Sequence, residues 1–433
     1  MHDNYFNYFL YVLTGLVLGL LLTTFSPLLV LLGFLGLWGL LVIFFNIEIG
    51  VTLIAVAAII PVARQIGPVI VPLVDLVMLV TLISWLLRTL LYKEKFVLPS
   101  VDIASTVLLM AMVASFFVSG DKAGTLKEII QYMVFAFLYT TMLFNNIKNT
   151  QHVDLIMNIL TIGTALLGGY AFIRFLQIGQ AGLYILGLHK NALGGLLVLP
   201  LPYLYMKFMT SGKKHWLLFV ILNTLGLMAS LSRGAWFGGF TGTLVVSLLL
   251  GKKVFFRYIL VILAGALLFI FLLPAGFRSA ATSQHTLSER GTYWSIAIAA
   301  FQERPILGWG FANFHEASKK FIGNRPSYLV SYDPHNVFLR FASEMGIVGL
   351  SAFIFFILFI FIKTLQAIPK QSVLESKLLI IGLIGSITAY FSHGVFDVFW
   401  VRGTGSLFWI FLSLIFVLIE KKELIHNVQS KSQ

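Results

Sequence analysis

About fourteen long apolar runs separated by short polar turns constrain this chain more than any motif, because a helix needs about 20 such residues to cross a bilayer. They fall at 5–25, 27–46, 49–63, 70–91, 102–118, 126–145, 153–177, 191–209, 215–231, 234–250, 254–274, 347–363, 377–396 and 404–420. The run at 49–63 is short and its neighbours are close, so the expected count is about 12–14 spans. Of the 433 residues, 59% are hydrophobic and 11% charged, against about 25% charged in an average soluble domain. The expected fold class is all-α, a polytopic integral membrane helical bundle.

The net charge of +13 would point to nucleic acid in a soluble chain. Here it reads as lysines kept on one side of a membrane, and no nucleic-acid partner is expected. Lys93 and Lys95, Lys148, Lys213 and Lys214, Lys252 and Lys253, Lys363, Lys370 and Lys377, and Lys421 and Lys422 fall on alternate turns. That places those turns and both termini in the cytoplasm, and segment 275–346 outside. The expected units are an N-terminal transmembrane bundle (1–274), an extracytoplasmic loop with interfacial helices (275–346), and C-terminal transmembrane helices with a short tail (347–433). His2 and Asp3 precede the first run in place of a basic n-region, so that run is expected to stay as a helix rather than be removed as a signal peptide. The chain has no cysteine, which leaves neither disulfides nor thiolate metal sites.

The outer segment has its own pattern. Ser288-Glu289-Arg290-Gly291-Thr292-Tyr293-Trp294 opens a helical stretch that Pro305 ends, and Gly308-Trp309-Gly310 makes a turn. A second short helix is expected from Phe311 to Ile322, with a loop from Pro326 to Tyr332. Asp333 can cap a helix whose first residue is Pro334, which puts His335 in the first turn. Gly346 is expected to hinge the mixed stretch Val337–Met345 onto the span that follows.

Chemistry concentrates in the same place. His335 titrates near working pH and can take a proton from an attacking hydroxyl. Arg233, in Leu231-Ser232-Arg233-Gly234, lies on the same outer side, as does Arg290, and Arg174 falls near the outer end of its span. Guanidinium forks match phosphate oxygens bidentately, so these three could hold a diphosphate. Asn336, Glu344, Asn191 and His393 are possible supporting residues. Glu344 lies four residues from Arg340, where an intrahelical ion pair is the plainer reading. His393, Asp397 and Arg402 cluster at the outer end of the last hairpin and could line the same cavity. No Asp-x-Asp pair, Walker loop or zinc spacing is present, so neither metal nor cofactor is expected.

His335-Asn336, followed by Glu344-Met345-Gly346-Ile347-Val348-Gly349-Leu350, resembles the signature of the O-antigen ligase and polymerase family. Ser232-Arg233-Gly234, and Glu289-Arg290 followed by Tyr293-Trp294, resemble further elements of it. The resemblance covers roughly residues 160–420. It implies a helical glycosyltransferase fold of the GT-C-like kind in a bacterial inner or plasma membrane, with the active site facing the periplasm or cell exterior. It also implies an undecaprenyl-diphosphate-linked glycan donor, and a glycan or lipid-linked acceptor hydroxyl that distinguishes polymerase-like from ligase-like members. His335 would be the general base, with Arg233, Arg290 and Arg174 holding the donor diphosphate. The alternative is a transporter or flippase for polysaccharide or lipid-linked sugars. Such proteins usually carry internal repeats, and none is visible here.

Overall fold

The structure, a computed structural model, describes residues 27–66, 69–178, 187–272, 285–398 and 404–421. The first expected span, 5–25, and Arg402 lie outside them. The N-terminal part comprises α1 (Pro27–Phe45), α2 (Ile47–Ile59), a hairpin of β1 (Ala63–Ile66) and β2 (Val69–Pro72), α3 (Leu73–Tyr92) and α4 (Val101–Phe116). It continues through α5 (Lys122–Met133), a π-helical turn (Val134–Tyr139), α6 (Thr140–Asn146) and α7 (Thr150–Ile178). Then come α8 (Lys190–Val198), α9 (Leu201–Ser211), α10 (His215–Ala229), α11 (Arg233–Leu250) and α12 (Lys252–Leu272). Residues 285–336 supply α13 (His285–Glu303) and α14 (Phe314–Phe321), and the C-terminal part α15 (Val337–Ala367), α16 (Leu374–Gly394) and α17 (Thr404–Glu420).

Every expected span after the first overlaps a helix, and the protein is a polytopic helical membrane protein. Among the described residues six helical segments are long and apolar enough to cross a bilayer: Leu73–Tyr92, Thr150–Ile178, Lys190–Ser211, Arg233–Leu250, Val337–Lys370 and Leu374–Gly394. Other apolar helices, such as Ile47–Ile59 and Val101–Phe116, are shorter, which is how a sequence expectation of about 12–14 spans meets a smaller set of full-length ones. The stretch 191–209 is two helices rather than one, because Pro200 caps α9 and Pro202 sits in its first turn, where neither can donate to the preceding turn.

α17 is the centre of the bundle. Leu407, Phe408, Phe411, Leu412, Leu414, Ile415 and Phe416 are all fully buried, as expected of a helix that is apolar on every side. Around it the helices approach through small residues, the usual means of close contact where lipid offers no hydrophobic drive. Gly234, Gly238 and Gly242 recur every fourth residue along α11 and face α16. A Cβ on Gly238 would stand 2.5 Å from the Ala389 carbonyl oxygen, and one on Gly242 2.6 Å from that of Gly385. α7 and α10 touch in the same way, Gly168 against Gly226.

α15 breaks its helical geometry at Gly346 (φ 64°, ψ −159°), the hinge the sequence suggests. At such a break Ile347 and Val348 lose the carbonyls of Ser343 and Glu344 as helical partners. The loop after α13 takes up all four groups. Ile347 N–H donates to the Pro305 carbonyl (2.8 Å) and Val348 N–H to that of Ile306 (3.3 Å), while Trp309 and Gly310 N–H donate to the Ser343 (3.1 Å) and Glu344 (2.7 Å) carbonyls. Gly308 (φ 65°) allows the approach, since a Cβ there would lie 2.4 Å from the Glu344 backbone.

The backbone contact of Gly226 with Gly168 gives a direct test. A Cβ at Gly226 would stand 2.2 Å from Gly168 Cα, and backbone cannot swing aside as a side chain can. Gly226→Ala is expected to cost about 1–3 kcal/mol, seen as a lower thermal midpoint of the purified protein. Gly39→Ala, with nothing within 4 Å of the new carbon, should leave the midpoint unchanged or raise it slightly.

Candidate active site

The segment before α15 differs from the helix start expected from sequence. Asp333 does not cap a helix beginning at Pro334. Its Oδ1 accepts the His335 N–H (2.8 Å) and bends the chain, and His335 itself adopts a left-handed φ of 50°. Asn336 is the cap, with Oδ1 accepting the Leu339 N–H at 3.0 Å. His335 therefore stands just outside the helix, half-buried and turned away from the α15 axis. A left-handed non-glycine residue costs roughly 1–2 kcal/mol, and such residues gather where function holds them. Leu231, two residues before Arg233, has φ 52°.

Three chain segments converge on His335. Its Nδ1 lies 3.3 Å from Oδ1 of Asp333 and 3.3 Å from Oδ1 of Asp397, which follows the end of α16. Its ring faces Tyr293 of α13 at 5.5 Å between centroids. Asp397 is buried, and its Oδ1 also accepts the Val398 N–H at 2.9 Å. Burial alone would push the His335 imidazole down. The hydrogen bond to Asp397 and the negative charges of Asp333 and Asp397 outweigh burial and Arg290, and hold its pKa above the ordinary value. Burial would likewise raise Asp397, yet the hydrogen bond and charge of His335 keep it below the usual carboxylate range.

A group of cations borders this pair. Arg290 of α13 has its pKa lowered by burial and by the like charge of Arg233, with Asp397 opposing; as a guanidinium it stays charged. Lys190, the first residue of α8, senses the charges of Arg290, Arg233, Glu289 and Asp397. Three cations thus share a half-buried space with two carboxylates, Glu289 and Asp397. The structure brings together His335, Arg233, Arg290 and Asp397 of the expected residues, and sets Lys190 and Tyr293 beside them.

The remaining expected residues have other settings. Arg174 donates to Gln177 of its own helix at 3.1 Å, and nothing described joins it to the cluster. Asn191 offers its backbone N–H to His189 Nδ1 (3.5 Å), so the histidine caps α8. His393 is buried behind Gly234, with Nε2 3.4 Å from Ser232 Oγ, and senses the charges of Asp397 and Arg290. Glu344 forms the intrahelical pair with Arg340 (3.1 Å), both residues buried. The same carboxylate oxygen accepts the Ala312 N–H at 2.8 Å.

One oxygen each of Asp333 and Asp397 and a nitrogen of His335 lie within 4.8 Å of one another, a donor set that a divalent cation could also use. The histidine already bridges both carboxylates through Nδ1, so the pair is coherent as a charge-assisted hydrogen bond.

With this geometry in view, residues 218–354 match the O-antigen ligase family. The matched stretch holds Arg233, Arg290, His335, Asn336 and Glu344, and stops before Asp397. A protein of Rickettsia felis that carries the name of a polysaccharide ligase is 28% identical over 164 residues, covering 34% of this chain and 39% of that relative. The chain therefore aligns with well under two thirds of that relative's length.

Glu344 separates structural from chemical roles. Glu344→Ala would leave the buried Arg340 with the more distant Glu128 (4.0 Å) as a counter-charge, an expected loss of up to about 3–5 kcal/mol. Glu344→Gln keeps an acceptor for Ala312 N–H and Arg340 Nε and should lose less. Unfolding of the two purified variants on heating checks the order.

Proposed function

We propose that this protein is a membrane glycosyltransferase that moves a glycan from an undecaprenyl-diphosphate carrier to an acceptor hydroxyl during surface polysaccharide assembly, as an O-antigen polymerase or ligase would. The observation that carries the reading is the meeting of His335 and Asp397 beside three cations, Lys190, Arg233 and Arg290. The family match over 218–354 supports it. On this reading the site faces the periplasm or cell exterior, both termini lie in the cytoplasm, and the described part of the outer segment, 285–346, borders the cavity.

The chemistry follows from the charges. Asp397 accepts the Nδ1 proton of neutral His335 and fixes the tautomer, so Nε2 presents its lone pair. Nε2 takes the proton of the acceptor hydroxyl as that oxygen attacks the anomeric carbon. A new glycosidic bond forms as the bond to the carrier diphosphate breaks, and the electron pair leaves on the diphosphate. Arg233, Arg290 and Lys190 offset the charge that develops there, in a site where water screens it little. Asp397 then steadies the imidazolium. No metal takes part in this scheme.

The base can be tested by pH. Neutral His335 is the working form, and its raised pKa means protonation removes it at a pH above the free value of about 6.5. Transfer should fall as pH drops through that higher value. Asp397→Asn removes the negative charge, and with it the charge-assisted hydrogen bond, that raise the pKa, so the fall should move to lower pH while the maximal rate also drops. His335→Ala should lose about 10²–10⁴-fold in a protein that still purifies folded. An unchanged pH profile in Asp397→Asn, or near-full turnover in His335→Ala, contradicts the assignment.

The cation group is tested with purified protein and lipid-diphosphate glycan donor in the presence of a chelator. Arg233→Lys and Arg290→Lys keep the charge but lose the planar fork, and each should cut donor use by about 2–4 kcal/mol of transition-state stabilisation. Lys319→Ala, at an exposed residue paired with Glu316, should change little. Strict dependence on added divalent metal would place the charge on an ion at Asp333, His335 and Asp397 instead.

A further inference from the structure

Tyr332 is 77% exposed, unusual for a large ring on a loop that is otherwise tied down. One face is covered. It stacks on His315 of α14 with centroids 4.1 Å apart and planes within 4°. The support is itself fixed, since His315 Nδ1 lies 3.4 Å from the Ser331 carbonyl oxygen and Ser331 N–H donates to the buried Ser318 Oγ at 3.0 Å. Ser331 Oγ donates in turn to the Asp333 carbonyl (2.8 Å), and Asp333 is one of the two carboxylates on His335. The ring is thus held from beneath, and Tyr332 directly precedes Asp333, with its Cα within about 11 Å of that of His335 by chain length alone.

We propose that Tyr332, backed by His315, is a sugar-binding platform that seats a glycan unit next to His335. This rests on the glycosyl-transfer reading above and names its glycan subsite. A pyranose is polar around its rim, but several of its C–H bonds point together from one face. Their partial positive charge matches the negative π-face of an aromatic ring, and covering a bare ring removes apolar area from water. A rigid ring loses little entropy on binding. Here the His315 stack removes most of the freedom of Tyr332 in advance. A tyrosine serving only as a membrane-interface anchor would have no need of such a stack.

The test uses the oligosaccharide released by mild acid from the lipid-linked glycan of the source organism, titrated against wild-type protein and the variants Tyr332→Ala, Tyr332→Trp and His335→Ala in detergent. Tyr332→Ala should bind at least tenfold more weakly. Tyr332→Trp, which keeps a π-face, should bind within about threefold of wild type, and His335→Ala should bind as wild type while failing to transfer. In the transfer assay Tyr332→Ala should raise KM by a similar factor with kcat within about twofold. Equal binding by wild type and Tyr332→Ala, no oligosaccharide binding by wild type, or loss of kcat at unchanged KM would each overturn the platform. Tyr332-dependent binding without any transfer by wild type would instead sink the glycosyltransferase reading and leave the sugar site standing.

Discussion

A break in a buried helix has to be made good in hydrogen bonds, and in this protein that requirement joins segment 285–336 to the bundle. The kink at Gly346 releases the N–H groups of Ile347 and Val348 and the carbonyls of Ser343 and Glu344, and the 305–310 loop takes up all four. Glu344 adds its side chain to the same seam, holding Ala312 N–H and Arg340 together in a dry environment. The loop is further anchored on the far side. Asn313 Nδ2 donates to Ser119 Oγ (2.9 Å), Thr125 Oγ1 (2.8 Å) and the Phe311 carbonyl (2.9 Å). Segment 285–336 is therefore part of the folded scaffold, and α13, which carries Arg290 and Tyr293, inherits its position from it.

The other half of the site depends on a different contact. Arg233 opens α11 and Asp397 follows α16, and these helices meet along the Gly234, Gly238 and Gly242 stripe. Backbone-to-backbone approach fixes their relative height more tightly than interdigitated side chains would, since there is no rotamer through which it can slip. His335 at the head of α15 lies where the two supports converge. An error in either would separate the imidazole from Asp397 or the arginines from each other.

This division explains what could be read from sequence. The helices were legible because apolar length is a local property, and so was the Gly346 hinge. The Arg340–Glu344 pair followed from its four-residue spacing alone. The helix start was not legible: Asp333 and Asn336 are both good caps, and choosing between them needs the left-handed turn at His335, which nothing in the local sequence signals. Asp397 stood among the candidates for the cavity, but its contact with His335 spans 62 residues and depends on how the start of α15 sits against the end of α16. Lys190 likewise lies far in sequence from the groups whose charges it senses, which belong to α11, α13 and the end of α16. Arg174, near the end of its helix, donates to Gln177 one turn away.

The arrangement of charge carries one further consequence. Three cations in a half-buried space repel one another and lose hydration, both unfavourable to the folded state. Glu289 and Asp397 offset this, and the Oδ1 of Asp397 is also engaged by His335 and by the Val398 amide. On the proposed reading the donor's diphosphate brings further negative charge to the same cations. Binding would then lower the repulsion among them. The same donor would leave His335 less surrounded by positive charge than before, favouring the imidazolium that forms as the acceptor proton is taken. Donor binding and proton transfer are in that case coupled through a shared field: the anion that is to depart also makes the base stronger while it is there.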